Sequence, residues 1–145
     1  MAPMLFAKAI LEGEPIRVFN YGRMARDFTY IDDIVEGVVR VLAKPASSNP
    51  TFEKCNPDPA CSWAPHRVFN IGNSNPTSLL DFISTLEGSL GLEAIKYFEP
   101  MQPGDVETTA ADTQLLEHWI GFKPQTSIEE GVSHFCKWYR DFYLV

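Results

Sequence analysis

Short strand-like runs, each set apart from the next by an amphipathic helix, constrain the fold of this 145-residue chain more than any other feature. Ile16–Asn20, Phe28–Ile31, Arg67–Gly72 and Ala94–Phe98 carry the alternating or β-branched and aromatic residues of strands. Helical periodicity fills the gaps between them. Met4, Ala7 and Leu11 fall on one face of an opening helix, Phe6 and Ile10 on an adjoining one, and Gly13 ends it. The aspartates Asp32 and Asp33 are placed to cap and charge the start of a second helix, whose apolar side is Ile34, Val38, Val41 and Leu42 and which stops before Pro45. A third helix runs from Thr77 to Leu90, with Thr77 or Asn75 as its cap and Leu79, Leu80, Ile83, Leu86 and Leu90 inward. Asp112 opens a short fourth helix containing Leu115, Leu116 and Trp119. Ser127 with Glu130 forms a capping box for a fifth, whose buried side is expected at Val132, Phe135, Trp138, Tyr139 and Phe142. About five helices among short, separated strands make an α/β layer, not a sandwich or a barrel.

The length suits a single domain over residues 1–145, large enough to bury roughly 68–70% of its extended surface. The helical pattern begins at once, with nothing ahead to cap or cover it, as expected of a piece cut from a longer polypeptide. Residues 45–65, rich in proline, serine and asparagine, interrupt the pattern as a long flexible loop.

Composition removes several classes of function. A net charge of −7 offers no basic face for nucleic acid. No apolar run approaches the ~20 residues that span a bilayer. The three cysteines, Cys55, Cys61 and Cys136, lack metal-type spacing, and the histidines His66, His118 and His134 are scattered, so no metal site is expected. An odd number of thiols fits reduced cysteines and a cytoplasmic location.

Two segments fall where the helix-and-strand pattern breaks: Arg26-Asp27-Phe28-Thr29-Tyr30-Ile31-Asp32-Asp33 and Met101-Gln102-Pro103-Gly104-Asp105-Val106. Between and after them come Asn56-Pro57-Asp58-Pro59, Phe69-Asn70-Ile71-Gly72, Ala111-Asp112-Thr113, Ile120-Gly121-Phe122-Lys123-Pro124 and Trp138-Tyr139. In this order and spacing they resemble the C-terminal, substrate-binding half of the extended short-chain dehydrogenase/reductases that act on nucleotide sugars. Within that group the chain is most similar to UDP-glucuronate 4-epimerases.

The resemblance implies a Rossmann-type enzyme whose N-terminal half, missing from this chain, holds NAD on a glycine-rich loop at a helix N-terminus. A tyrosine with a lysine four residues later would move the protons there. Neither feature exists in the 145 residues, so the chain is expected to hold no catalytic residue, to bind no NAD and to be inert alone. What the resemblance leaves here is the UDP-sugar side. Arg26 matches an arginine that contacts the pyrophosphate, where a planar fork suits paired phosphate oxygens; a structural ion pair with Asp32 or Asp33 is the competing role. Gln102, at a position where several relatives carry arginine, would hydrogen-bond ribose or phosphate. Asp105 would accept from the ribose hydroxyls, or else stabilise its turn. Thr109 would lie near the sugar ring, and Val18 and Phe19 near the uracil unless they simply face the core.

The implied reaction is inversion at C4 of UDP-glucuronate through a 4-keto intermediate. A nucleotide-sugar decarboxylase or dehydratase, and a non-catalytic binding or assembly module, are the alternatives. Without its partner half the fragment is expected to self-associate, through the Val68–Ile71 strand edge, the face of the first helix around Met4, Phe6 and Ile10, or an exchanged element.

Overall fold

The computed structural model describes residues 2–145. Five helices and four very short strands are present among them: α1 (Ala2–Glu12), β1 (Ile16–Val18), β2 (Ala25–Arg26), α2 (Ile31–Ala43), β3 (Thr77–Ser78), α3 (Leu79–Leu90), β4 (Lys96–Phe98), α4 (Gln114–Ile120) and α5 (Ile128–Tyr143). This is an α/β chain, as its patterning requires. Where the sequence suggests one domain, the chain divides into two compact units. The first is Met1–Phe28, Asn75–Ala110 and Thr126–Val145; the second is Thr29–Ser74 and Ala111–Gln125.

The first unit is built on α1, α3 and α5. Ala7 and Ile10 of α1, Phe82, Ile83, Leu86 and Leu90 of α3, and Val132, Cys136 and Tyr139 of α5 form one buried cluster with Ile16 and Val18 of β1. Met4 and Phe6 pack against it. The expected uncovered face of α1 is therefore not there: Ile10 is 3% exposed, because α1 is a core helix of this unit. α3 turns inward the face its sequence suggests, with Leu79 packed against the cluster and Ile83, Leu86 and Leu90 buried, except at one position. Phe82 is buried where Leu80 is expected, and Leu80 is 42% exposed; the helix starts at Leu79, and Ser78, not Thr77 or Asn75, caps it by accepting from Asp81 N at 3.1 Å. α5 offers two overlapping apolar stripes, and the core takes Val132, Cys136 and Tyr139. Trp138 and Phe142 stay 48% and 64% exposed, stacked on each other. Burial also pushes the Cys136 thiol pKa up. Ser127 caps α5 as the sequence indicates, accepting from Glu130 N at 3.2 Å.

β1 pairs with β4 in parallel, Ile16 opposite Lys96 and Val18 opposite Phe98. Beyond β1 the chain bends sharply: Asn20, Tyr21 and Gly22 all have positive φ, at 49°, 52° and 80°. A Cβ on Gly22 would stand 2.8 Å from Leu80 side-chain atoms, so both conformation and space demand glycine there. Gly22→Ala should destabilise the unit by about 1–3 kcal/mol, read as a lower urea midpoint; an unchanged midpoint would mean the bend relaxes freely.

In the second unit α2 and α4 finish against each other. Lys44 Nζ donates to Trp119 O at 2.6 Å and Trp119 Nε1 donates to Lys44 O at 3.0 Å, so each helix end satisfies a carbonyl of the other. Arg40 adds a bond to Gly121 O. Gly37 is the buried residue of α2, and a Cβ there would come within 2.6 Å of Ile71. The rest of α2 is largely open: Ile31, Val35, Val38, Val39 and Leu42 are 51–76% exposed. Its N-cap is Tyr30, not an aspartate. Asp32 and Asp33 lie inside the first turn, where they suit the helix dipole, and Asp33 Oδ2 accepts from Gln125 N at 3.2 Å.

Two expected strands are absent. Phe28–Tyr30 is irregular, and the run from Arg67 to Gly72 makes a single bridge, Arg67 to Cys61. β-propensity reflects a fit to neighbouring strands, and neither segment has such a neighbour among the described residues. Residues 45–65 contain no helix or strand but have their own hydrogen bonds: Asn49 N to Ser62 O, Thr51 N to Asn49 Oδ1, Ala60 N to Asp58 Oδ1, and Cys61 Sγ between Asn49 and Asp58. The Asp58 carboxyl pKa is held down by these bonds from Ala60 and Cys61, with the charge of Arg67 adding a little. Among the described residues no helix is long and apolar enough to cross a membrane.

Candidate nucleotide-sugar site

Arg26 stands on a strand held from both sides. β2 pairs antiparallel with β3, Arg26 opposite Thr77, and is bridged in parallel to Thr108 through Ala25. Ala25 N donates to Glu107 O at 2.8 Å, and Thr109 N donates to Ala25 O at 3.2 Å. Arg26 ends this two-residue strand, and the pairing on both sides of Ala25 limits its backbone freedom and aims its side chain.

The Arg26 guanidinium is then fixed by three acceptors. Nη1 donates to Ala25 O at 2.9 Å and to Glu107 O at 3.1 Å, and Nη2 donates to Asp105 Oδ1 at 2.8 Å. Three of the five guanidinium hydrogens are engaged. The Nε hydrogen and one on Nη2 are left, the number a two-point contact with phosphate or carboxylate oxygens needs. The expected alternative partners, Asp32 and Asp33, are not the ones used; Asp105 is, 79 positions away in sequence. The Arg26 and Asp105 side chains are 28% and 34% exposed, so a ligand can reach the pair and water screens it. A partly exposed pair contributes at most about 1 kcal/mol to stability.

Asp105 is presented by a turn its sequence dictates. Pro103 and Gly104 occupy the central positions, Gly104 has φ 82°, and Asp105 N donates to Gln102 O at 3.2 Å. That is a type II turn, which favours proline then glycine there. Asp105 Oδ1 also accepts from Val106 N at 2.9 Å, so the same oxygen serves both the turn and Arg26. Oδ2 makes neither bond and remains an acceptor. Both readings of Asp105 from sequence thus describe the same side chain.

The remaining candidates divide. Gln102 and Thr109 are exposed and flank Asp105 along one short segment, Thr109 tied to the arginine's own strand. Phe19 is half-buried, with the Arg17 guanidinium 4.8 Å above its ring. Val18 is fully buried. Its side chain presents no surface to a ligand and takes the core-facing role that the sequence left open. Sequence reasoning passed over Arg17 and Glu99, which form a two-point ion pair at 2.6 Å beside Phe19. This bond raises the pKa of Arg17 and lowers that of Glu99. Their 82-residue separation leaves no periodic signal. Among the described residues no group of three or more His, Cys, Asp or Glu could hold a metal ion.

Comparison with known proteins puts this geometry in context. The sequence model of the NAD dependent epimerase/dehydratase family matches residues 2–72. A probable UDP-glucuronate 4-epimerase of Rhizobium meliloti is 45% identical over 140 residues, covering 96% of this chain and 41% of the relative. Protein CapI of Staphylococcus aureus is 47% identical over 143 residues, 99% of this chain and 43% of its own. Among solved structures, the UDP-glucuronic acid 4-epimerase of Bacillus cereus, in complex with UDP-glucuronic acid and NAD, superposes with a TM-score of 0.78. It is 31% identical, over 99% of this chain and 40% of that one. The chain thus spans about two-fifths of the length of the relatives it matches.

Proposed function

We propose that the chain, whose residues 2–72 match the NAD dependent epimerase/dehydratase family, is a member of it and forms the UDP-sugar side of a nucleotide-sugar 4-epimerase acting on UDP-glucuronate. The observation that carries the reading is Arg26 held by Ala25, Glu107 and Asp105 with a two-point edge left over. In this reading the edge takes the pyrophosphate, where the charge of the ligand makes each bond stronger than a neutral one. Asp105 Oδ2 accepts from a ribose hydroxyl. Gln102 adds a neutral hydrogen bond, Thr109 lies towards the sugar, and Phe19 towards the base.

NAD itself does not fit this chain. Gly13, Gly22, Gly91, Gly104 and Gly121, the glycines of positive φ, stand singly in separate turns and make no phosphate-cradling loop. No tyrosine has a lysine four residues on. We assign dinucleotide binding and the redox chemistry at C4 to another part of the parent enzyme, and the bare face of α2, with Leu42 76% exposed, to contact with that part. The chain by itself is expected to self-associate through this face, not through α1, because apolar patches left open seek cover.

The isolated chain should therefore show no micromolar affinity for NAD and no epimerisation of UDP-glucuronate, while retaining measurable binding of the UDP-sugar. Calorimetric titration with each ligand checks this. Micromolar NAD binding, or no UDP-sugar binding at any millimolar concentration, would overturn the assignment.

A further inference from the structure

We propose that the second unit carries a separate oxyanion site, built by the long loop around Trp119 and suited to a phosphate group, free or as a terminal phosphomonoester. A cavity of about 200 Å³ lies there, lined by Ser47, Ser48, His66, Arg67 and Trp119 among others, with no carboxylate in its wall. That is the volume of several water molecules, room for one tetrahedral anion and part of its shell. In a chain of net charge −7, a pocket whose wall holds an arginine and two serine hydroxyls and no carboxylate stands out electrostatically.

The arginine makes the case. Arg17, Arg26, Arg40 and Arg140 all donate side-chain hydrogen bonds to protein oxygens. Arg67, like Arg23, donates none among the described residues, yet Arg67 is not loose. Its guanidinium lies 5.4 Å from the centre of the Trp119 ring, a cation–π contact that orients the plane while leaving all five N–H groups available. Trp119 is fixed in turn by its Nε1 bond to Lys44 O, and Lys44 Nζ sits 4.8 Å from the same ring. The backbone of Arg67 is bridged to Cys61. Asp58, the nearby carboxylate, accepts from Ala60 N and Cys61 Sγ and makes no hydrogen bond to Arg67. The side chains of Ser47, Ser48 and His66 likewise make no hydrogen bond to protein among the described residues and are exposed, so a ligand entering the pocket meets them and the arginine open to it. A planar fork with hydroxyl donors beside it is the chemistry that recognises phosphate oxygens. None of its residues belongs to the Arg26–Asp105 site, and the oxyanion site is independent of the proposed epimerase function.

The test is a titration of the full 145-residue chain with inorganic phosphate and, separately, with glycerol phosphate, at constant ionic strength set by chloride. The Trp119 indole N–H signal is followed by NMR, and those of Trp63 and Trp138 serve as controls. Saturable movement of the Trp119 signal alone, weakened at least tenfold in Arg67→Gln and reduced in the Ser47→Ala/Ser48→Ala double variant, supports the site. Response to both ligands identifies a phosphomonoester site, and response to inorganic phosphate alone a free-anion site. No saturable movement with either ligand up to tens of millimolar, or equal movement in Arg67→Gln with the control signals unchanged, overturns it.

Discussion

Phe82→Ala should lower the stability of the first unit by about 3–5 kcal/mol, the range for truncating a fully buried phenylalanine. Phe82 is 2% exposed, stacked on Phe28 with ring centres 4.5 Å apart and within 6.4 Å of Phe6. Its removal leaves a void bordered by three segments, and the stacked partner loses its contact outright. Against a typical total of 5–15 kcal/mol this is a large fraction. Urea denaturation of wild type and variant measures it. Leu80→Ala provides the contrast: the periodic pattern of leucines would make it the costlier change, whereas its 42% exposure makes it clearly the cheaper one. Similar losses for the two variants would show that α3 does not seat on Phe82 as described.

Arg26→Ala, made in the complete parent enzyme, should weaken UDP-sugar binding by about 1.5–3 kcal/mol, the span for hydrogen bonds to a charged group. That corresponds to roughly ten- to a hundredfold in the dissociation constant. NAD affinity should hardly change, because the dinucleotide is assigned elsewhere. The variant also leaves Asp105 without its cation, so Asp105→Asn is the informative companion: it keeps the turn and the arginine but removes the charge that steadies Nη2. It should show a smaller loss in the same direction. Equal losses for sugar nucleotide and NAD in Arg26→Ala would indicate a damaged fold and remove Arg26 from the site.

Local signals in the sequence were the legible ones. Ser127 with Glu130, the Pro103-Gly104 turn and the stop at Gly13 each depend on residues a few positions apart, and each is where the local pattern puts it. Resemblance, not periodicity, singled out Arg26 and Asp105. Their partnership spans 79 positions and depends on a short ladder joining residues 25–26, 77–78 and 107–109, which no window of sequence contains. Choice between competing faces was illegible for a related reason. α5 has enough aromatic residues to bury either of two stripes, and the one that meets the cluster of α1, β1 and α3 is Val132, Cys136 and Tyr139. The strand-like run at Arg67–Gly72 shows the opposite failure: its composition is right, but a strand needs a neighbour to be one.

The reciprocal bonds between Lys44 and Trp119 bear on how the second unit opens. α4 has seven residues, well below the ~12–15 at which an isolated helix becomes even marginal in water. Its last turn borrows a donor from the end of α2, and the end of α2 borrows one from α4. Fraying of either terminus strips a hydrogen bond from the other, so the two helix ends are tied into a single opening event. Amide protons at these two ends, 75 residues apart in the chain, belong to one cooperative block and exchange with solvent together.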